Sequence, residues 1–230
     1  MEHEIEFRPS FSLLTLSLES GEAVRTEAGS MVSCDAGIDV ETGANGGLFG
    51  SLKRSLLGGE SFFQNTFTAR EAGELTLAPP LPGDIVDCYL EDETLFVQSG
   101  SYLASARDIE LDTQFGGGRS FFGGEGVFLL RLEGSGPAFL SSYGAIRERE
   151  LADGETYTVD TGHIVAFESS ASFDVRAIGG LRSTLFSGEG LVCEFEGPGR
   201  VWTQTRSPDA FLTWLIPKLP TNTANAGNSN

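Results

Sequence analysis

Lysine is nearly missing from this chain of 230 residues: Lys53 and Lys218 stand alone among 15 basic residues, against 33 acidic ones, for a net charge of −18. A surface of that sign repels phosphate, so nucleic acid is not an expected partner. The same imbalance fits adaptation to concentrated salt, because near 1 M the Debye length is only about 3 Å and self-repulsion is screened. Histidine is almost as scarce, with only His3 and His163. That excludes the several-histidine iron or manganese centres of cupin-like barrels, and no metal or other cofactor is expected. The three cysteines, Cys34, Cys88 and Cys193, are too few and too scattered for a disulfide framework or a zinc site. They read as buried thiols in a reducing, cytoplasmic interior. No apolar run approaches the roughly 18 residues of a membrane-spanning helix. The opening MEHEIEFRPSFSLLTLSL carries acids where a secretory signal carries positive charge.

Helical periodicity is also absent over most of the chain, and β signals take its place. Apolar residues make up 40% of the sequence, with 17 phenylalanines, enough for a substantial core without staples. Phe11, Leu13, Leu16 and Leu18 alternate with Ser and Thr, and Phe96/Gln98 and Tyr157/Val159 repeat the alternation. Glycine turns interrupt these segments every eight to twelve residues or so. Asp153-Gly154 is the best hairpin signal, since both residues tolerate positive φ. Near the end, SPDAFLTWLIPKLP offers Ser207 as N-cap, Pro208 at the first helical position and an apolar stripe of Phe211, Leu212 and Leu215. This predicts a short helix over 208–216, packed on the β body. The polar 221–230 reads as a disordered tail.

One motif recurs. GSLKRSLLGGESFF, GGGRSFFGGEGVF and GGLRSTLFSGEGLV begin at Gly50, Gly116 and Gly179, aligning Arg54, Arg119 and Arg182, and then Glu60, Glu125 and Glu189, at a spacing of about 65 residues. Flanking segments follow the same period. The pattern predicts one all-β domain over 1–220 made of three repeats, approximately 11–80, 90–145 and 151–206, packed about a pseudo-threefold axis. The triplicated arginine and glutamate read as structural ion pairs, because catalytic residues seldom occur in triplicate.

Three stretches carry a family resemblance: GGLFGSLKRSLLGGESFFQNTFTA (46–69), VDTGHIVAFE (159–168) and GPGRVWTQTRS (197–207). They resemble the altered-inheritance-of-mitochondria family of mitochondrial biogenesis proteins, which has many prokaryotic members. The resemblance implies a β fold of the tryptophan RNA-binding attenuation protein type, related to the double-stranded β-helix. It also implies an uncharacterised biochemical role with no catalytic residues to carry over.

Searches for chemistry return little. There is no G-x-S-x-G, no phosphate-loop order around Lys53, and no strand-to-helix context for the glycine clusters. Glu91/Asp92/Glu93 and Glu148/Glu150 read as solvated carboxylates, and His163 as a surface or satisfied strand histidine. The expectation is a non-catalytic binding or scaffold protein that forms a homo-oligomer, with a trimer the natural guess. The alternative is a peripheral membrane-organising protein whose segment 46–63 sets Leu48, Phe49 and Leu52 beside Lys53 and Arg54. A weaker alternative is a small-molecule binder or cryptic enzyme.

Overall fold

Short segments with one apolar face become strands only if a second layer covers that face, and here the covering comes from the neighbouring segment of the same chain. The computed structural model describes residues 1–43, 64–112, 129–177 and 191–220. Among the described residues the chain is mostly β, with a single short helix near position 210.

After β1 (Glu2–Glu6), the strands fall into three successive groups. The first holds β2 (Leu13–Leu18), β3 (Ala23–Glu27), β4 (Met31–Cys34), β5 (Ile38–Gly43), β6 (Gln64–Ala69) and β7 (Gly73–Leu77). In it β2 and β4 flank β7, and β3 and β5 flank β6, all antiparallel. The second holds β8 (Ile85–Gln98), β9 (Tyr102–Ala106), β10 (Glu110–Asp112) and β11 (Leu129–Ser141). The two long strands pair from Ile85↔Ser141 to Leu129↔Gln98, with a register shift at Gly134/Ser135 opposite Asp92, whose φ is 62°. Strand β9 adds to the later half of β11 and β10 to its earlier half. The third group holds β12 (Ile146–Leu151), β13 (Thr156–Asp160), β14 (Ile164–Glu168), β15 (Ser172–Ala177), β16 (Leu191–Glu196) and β17 (Gly199–Gln204). Here β12 and β14 flank β17, while β13 and β15 flank β16. Two ladders join the groups, β3 with β9 and β8 with β14.

Three apolar clusters lie between these layers. Leu14, Leu16, Leu18, Leu75 and Leu77 meet Val24 and Phe67 in the first, and Val97, Tyr102, Leu130 and Trp202 belong to the second. Phe96, Phe167 and Phe195 belong to the third, where Phe167 lies 5.0 Å from Phe195 and 5.2 Å from Phe96 between ring centroids. Neighbours Phe96 and Val97 point to opposite sides of the sheet, yet both are buried, because β8 separates two cores. Each fully buried Leu or Phe contributes about 1.5–3 kcal/mol, so the shared sheets supply most of the driving force.

Several expectations change. The core face of β2 is Leu14, Leu16 and Leu18, while Phe11 is 73% exposed in the turn before the strand. Leu13 has the opposite parity and points away. Only Gly154 of the Asp153-Gly154 turn takes positive φ (71°), with the Glu155 amide donating to the Ala152 carbonyl at 2.9 Å. Helix α1 (Pro208–Leu215) starts as predicted, the Ser207 hydroxyl accepting from the Ala210 amide at 3.4 Å. It does not pack deeply on the β body: none of its residues is buried, and Leu212 and Trp214 are exposed. Among the described residues its aromatic contact with the β body is that of Phe211 with Tyr143, edge-on at 5.9 Å between ring centroids.

The junction between the first two groups rests on Asp84. Its buried carboxylate accepts from Arg8 Nε (2.8 Å) and Nη2 (3.1 Å), the Ile85 amide (2.9 Å) and the Ser12 hydroxyl (3.2 Å). Beside it, a Cβ on Gly83 would fall 1.7 Å from the Ser142 carbonyl oxygen, so no side chain fits there. Burial alone would raise the Asp84 pKa; the hydrogen bonds and charge of Arg8 outweigh it and hold the carboxyl below its ordinary value. A depressed carboxyl stabilises the fold above the unfolded pKa near 3.9, and that contribution disappears as pH falls through the folded value. Asp84→Asn is expected to cost about 1–3 kcal/mol at pH 7 in a denaturant titration, with a smaller cost at pH 3.

Candidate functional site

A cleft of about 320 Å³ opens where β8 turns at Asp92, β14 ends and β17 begins. Its floor includes Trp202, 1% exposed and held in β17 between β12 and β14. Arg200 lies one turn of the pleat away on the same face. Glu168, the last residue of β14, accepts from the Arg200 amide (2.8 Å) and its Nε (2.6 Å). The guanidinium carbon stands 5.1 Å from the centroid of the Trp202 ring, within cation–π range. Glu148 completes the set, its carboxylate 3.8 Å from Arg200 Nη1 and accepting from Trp202 Nε1 at 3.1 Å. Asp92 and Glu93 form the rim, with the Asp92 amide donating to the Ser135 hydroxyl at 2.9 Å.

Chemically this arrangement holds itself. One guanidinium faces two carboxylates, so the cleft favours neutral or cationic groups over anions. Its thiol is no nucleophile: burial, only partly opposed by Arg200, pushes Cys88 up to about 12, leaving it protonated at neutral pH. Burial also raises Cys193 to about 12. No histidine lines the cleft. His163 sits in a 3-10 turn (Thr161–His163), not on a strand, with Nδ1 2.8 Å from the Gln204 carbonyl oxygen. Among the described residues no group of three His, Cys, Asp or Glu side chains is placed to hold a metal ion.

The sequence-predicted contact residues Leu48, Phe49, Leu52, Lys53 and Arg54 lie outside the described residues. So do Glu60, Arg119, Glu125, Arg182 and Glu189, and the tail 221–230. What is described is where the motif segments attach: 44–63 joins partners β5 and β6, 113–128 joins β10 and β11, and 178–190 joins β15 and β16. Of the acidic runs read as solvated, Glu91, Asp92 and Glu93 are exposed, whereas Glu148 is engaged with Arg200 and Trp202. Glu168, Arg200 and Trp202 were not singled out. Their signal was present, since Glu168 closes VDTGHIVAFE and GPGRVWTQTRS contains the other two; the fold brings these separated stretches together.

Residues 3–206 match the mitochondrial biogenesis AIM24 family. The chain belongs to that family. An uncharacterized protein of Streptococcus pyogenes serotype M6 is 31% identical over 231 residues, covering 96% of this chain and 92% of that protein. The crystal structure of protein SPYM3_0169 from Streptococcus pyogenes superposes with a TM-score of 0.79 at 30% identity, covering 95% of this chain and 99% of that one. Both relatives are bacterial, in keeping with a prokaryotic member of the AIM24 family. No helix among the described residues is long and apolar enough to cross a membrane.

Cysteine accessibility corrects one expectation. Cys34 is exposed on β4, which among the described residues pairs only with β7, while Cys88 is half-buried and Cys193 buried. In dilute protein at low salt, iodoacetamide at pH 8 should therefore alkylate Cys34 in the native chain and reach Cys88 and Cys193 only after denaturation, as read by mass spectrometry.

Glu27, at the end of β3, offers a second measurement. Burial raises its carboxyl to about 7, and no partner is needed to explain the direction. A raised carboxyl favours the fold below the unfolded pKa near 4.3, and that contribution is lost as pH rises towards 7. Glu27→Gln should stabilise the protein by on the order of 2 kcal/mol at pH 8, and the gain should vanish near pH 4 in parallel melting curves.

Proposed function

We propose that this AIM24-family protein is a non-catalytic scaffold built from three copies of one six-strand unit, related to the attenuation-protein fold and assembling with itself in the cytoplasm. The observation that carries the reading is the pairing pattern. Within each group the first and third strands flank the sixth, and the second and fourth flank the fifth, counting the halves of β8 and β11 separately. The third strand of each group carries one extra residue at the same place: Val32, Leu103 and Val165. The described strands between Leu13 and Gln204 are thus spent on building sheets, and the side chains of the cleft bond to one another. A chain so disposed organises partners through surfaces and edges. The family name, mitochondrial biogenesis, is compatible with an organising role, though not in its organelle-specific sense. Excess acidity supports a protein suited to high salt, where like-charged copies can approach.

A membrane-organising role is the second reading, and α1 favours it: Leu212, Trp214, Ile216 and Leu219 are exposed together near Lys218, whose Nζ lies 4.7 Å from the Trp214 ring centroid. Segment 46–63 would act with it. Flotation with vesicles of anionic and zwitterionic lipid separates the two readings. The scaffold reading expects the protein to remain in the dense fraction in both cases. Cofloating with anionic vesicles that is lost in Trp214→Ser and in Lys53→Glu would favour the membrane, and a retained small molecule in native mass spectrometry would favour a ligand-binding role.

A further inference from the structure

The two ladders that join the groups are the template for a third ladder that the chain leaves unmade. We infer that a second copy of this chain supplies it, β13 of one copy pairing antiparallel with β4 of the next. The inference rests on the three-unit reading above and names its interface.

Both existing ladders join the second strand of one unit to the third strand of the following unit. In the first, Val24, Arg25 and Thr26 face Ala106, Ser105 and Ala104; in the other, Leu95, Phe96 and Val97 face Glu168, Phe167 and Ala166. What remains is a third strand with nothing before it, β4, and a second strand with nothing after it, β13. Among the described residues β4 pairs only with β7, and β13 only with β16. Partners within the units fix the equivalences. Val159 faces Cys193 as Val97 faces Leu130, and Ser33 faces Thr76 as Ala104 faces Phe139. Transposing the register sets Tyr157 opposite Asp35, Thr158 opposite Cys34, and Val159 opposite Ser33.

Burial says that something is missing there. At the two completed ladders Tyr102, Leu103, Ile164 and Val165 are all 0% exposed, whereas their counterparts Met31 and Val32 are 47% and 57% exposed. Edge strands that stay solitary are guarded by lysine, proline or an inward charge. β4 (Met31–Cys34), though short and bulged at Val32 like its paired counterparts, carries none of these, and β13 (Thr156–Asp160) carries only Asp160 at its end, whose carboxylate accepts from the Gly162 amide at 2.9 Å. The two edges are complementary in role and lie on opposite ends of the same polypeptide, so head-to-tail addition of identical chains continues a sheet the chain already builds twice. Such a contact is heterologous and gives a ring if the rotation closes, or a filament if it does not. With each copy at −18, assembly should strengthen with salt.

The test exploits Cys34. Thr158→Cys protein is treated with dibromobimane, which bridges thiols a few ångströms apart, in molar salt at several concentrations. The expected product is a covalent dimer and higher multiples of the 24.5 kDa chain. Their yield should rise with concentration and fall at least tenfold in Thr158→Cys/Cys34→Ser and in Thr158→Cys/Val32→Lys. Val32 is already exposed, so its replacement leaves the monomer folded. A bridge confined to one chain and indifferent to dilution would overturn the second-copy assignment in favour of closure onto the chain's own β4, and absence of any bridge would overturn the interface. Arg25→Cys/Ser105→Cys, in a Cys34→Ser background and oxidised to a disulfide during refolding because position 105 is buried in the folded chain, serves as the matching internal pair and should bridge within one chain. If that control bridges and Thr158→Cys does not, the interface alone falls; if the control fails, the register and the three-unit reading fall with it.

Discussion

Two short ladders, β3 with β9 and β8 with β14, hold the three groups of strands in one body. Each consists of three residue pairs, yet every core depends on them. The sheet containing β6 and β3 can cover the first core only because β9 continues it, and Leu103 and Ala104 from β9 complete that core. Phe96 likewise crosses into the third core while Val165, Ala166 and Trp202 cross back into the second. A single group could not bury both of its faces, so its strands would be half-exposed sheets of three. Sharing converts three weak sandwiches into one body whose clusters interpenetrate.

This dependence explains what could be read from the sequence. Strand identity was legible wherever one face is wet, as in Leu14–Leu18 and Tyr157/Val159, because burial on one side leaves a period of two. It was legible at Phe96/Gln98 too, but not which faces are dry: both sides of Phe96-Val97-Gln98 are buried, since β8 divides two cores. Parity was ambiguous at Leu13-Leu14, where adjacent leucines allow either phase and only the start of the strand decides. The helix start was legible from Ser207 and Pro208 because capping is local chemistry. Its docking was not, because the space available for Phe211 and Leu215 is set by strands far away in sequence.

The cleft was illegible for a different reason. Glu168 and Arg200 are separated by the whole of β15 and β16, and no local pattern brings β14 beside β17. A structural role for the pair has support inside the molecule. In the first group the Asp35 carboxylate accepts from the Glu74 amide at 2.9 Å, as Glu168 accepts from that of Arg200, at the corresponding end of the third and sixth strands. The carboxylate-to-amide bridge therefore precedes any use of the cleft. What is particular to the third group is the cation: Arg200 stands where the first group has Glu74, and only there does an aromatic floor, Trp202, receive it.

That difference bears on assembly. At the β4 edge, Asp35 and Glu74 present two carboxylates with no arginine between them, so in dilute buffer the unmade ladder carries a local negative field in addition to the global one. Beside β13 stands Arg149, its guanidinium carbon 4.3 Å from the centroid of the Tyr157 ring while the group also pairs with Glu155. The internal ladder β8–β14 solves the same problem by placing Arg200 on Glu168. In the proposed contact a terminal edge lacking that internal cation would rely instead on counterions, since screening removes repulsion between exposed charges without needing a residue to do it. For the proposed head-to-tail contact, the exposed Met31 and Val32 would supply the attraction and the acidic surface the barrier, with salt setting the balance between them.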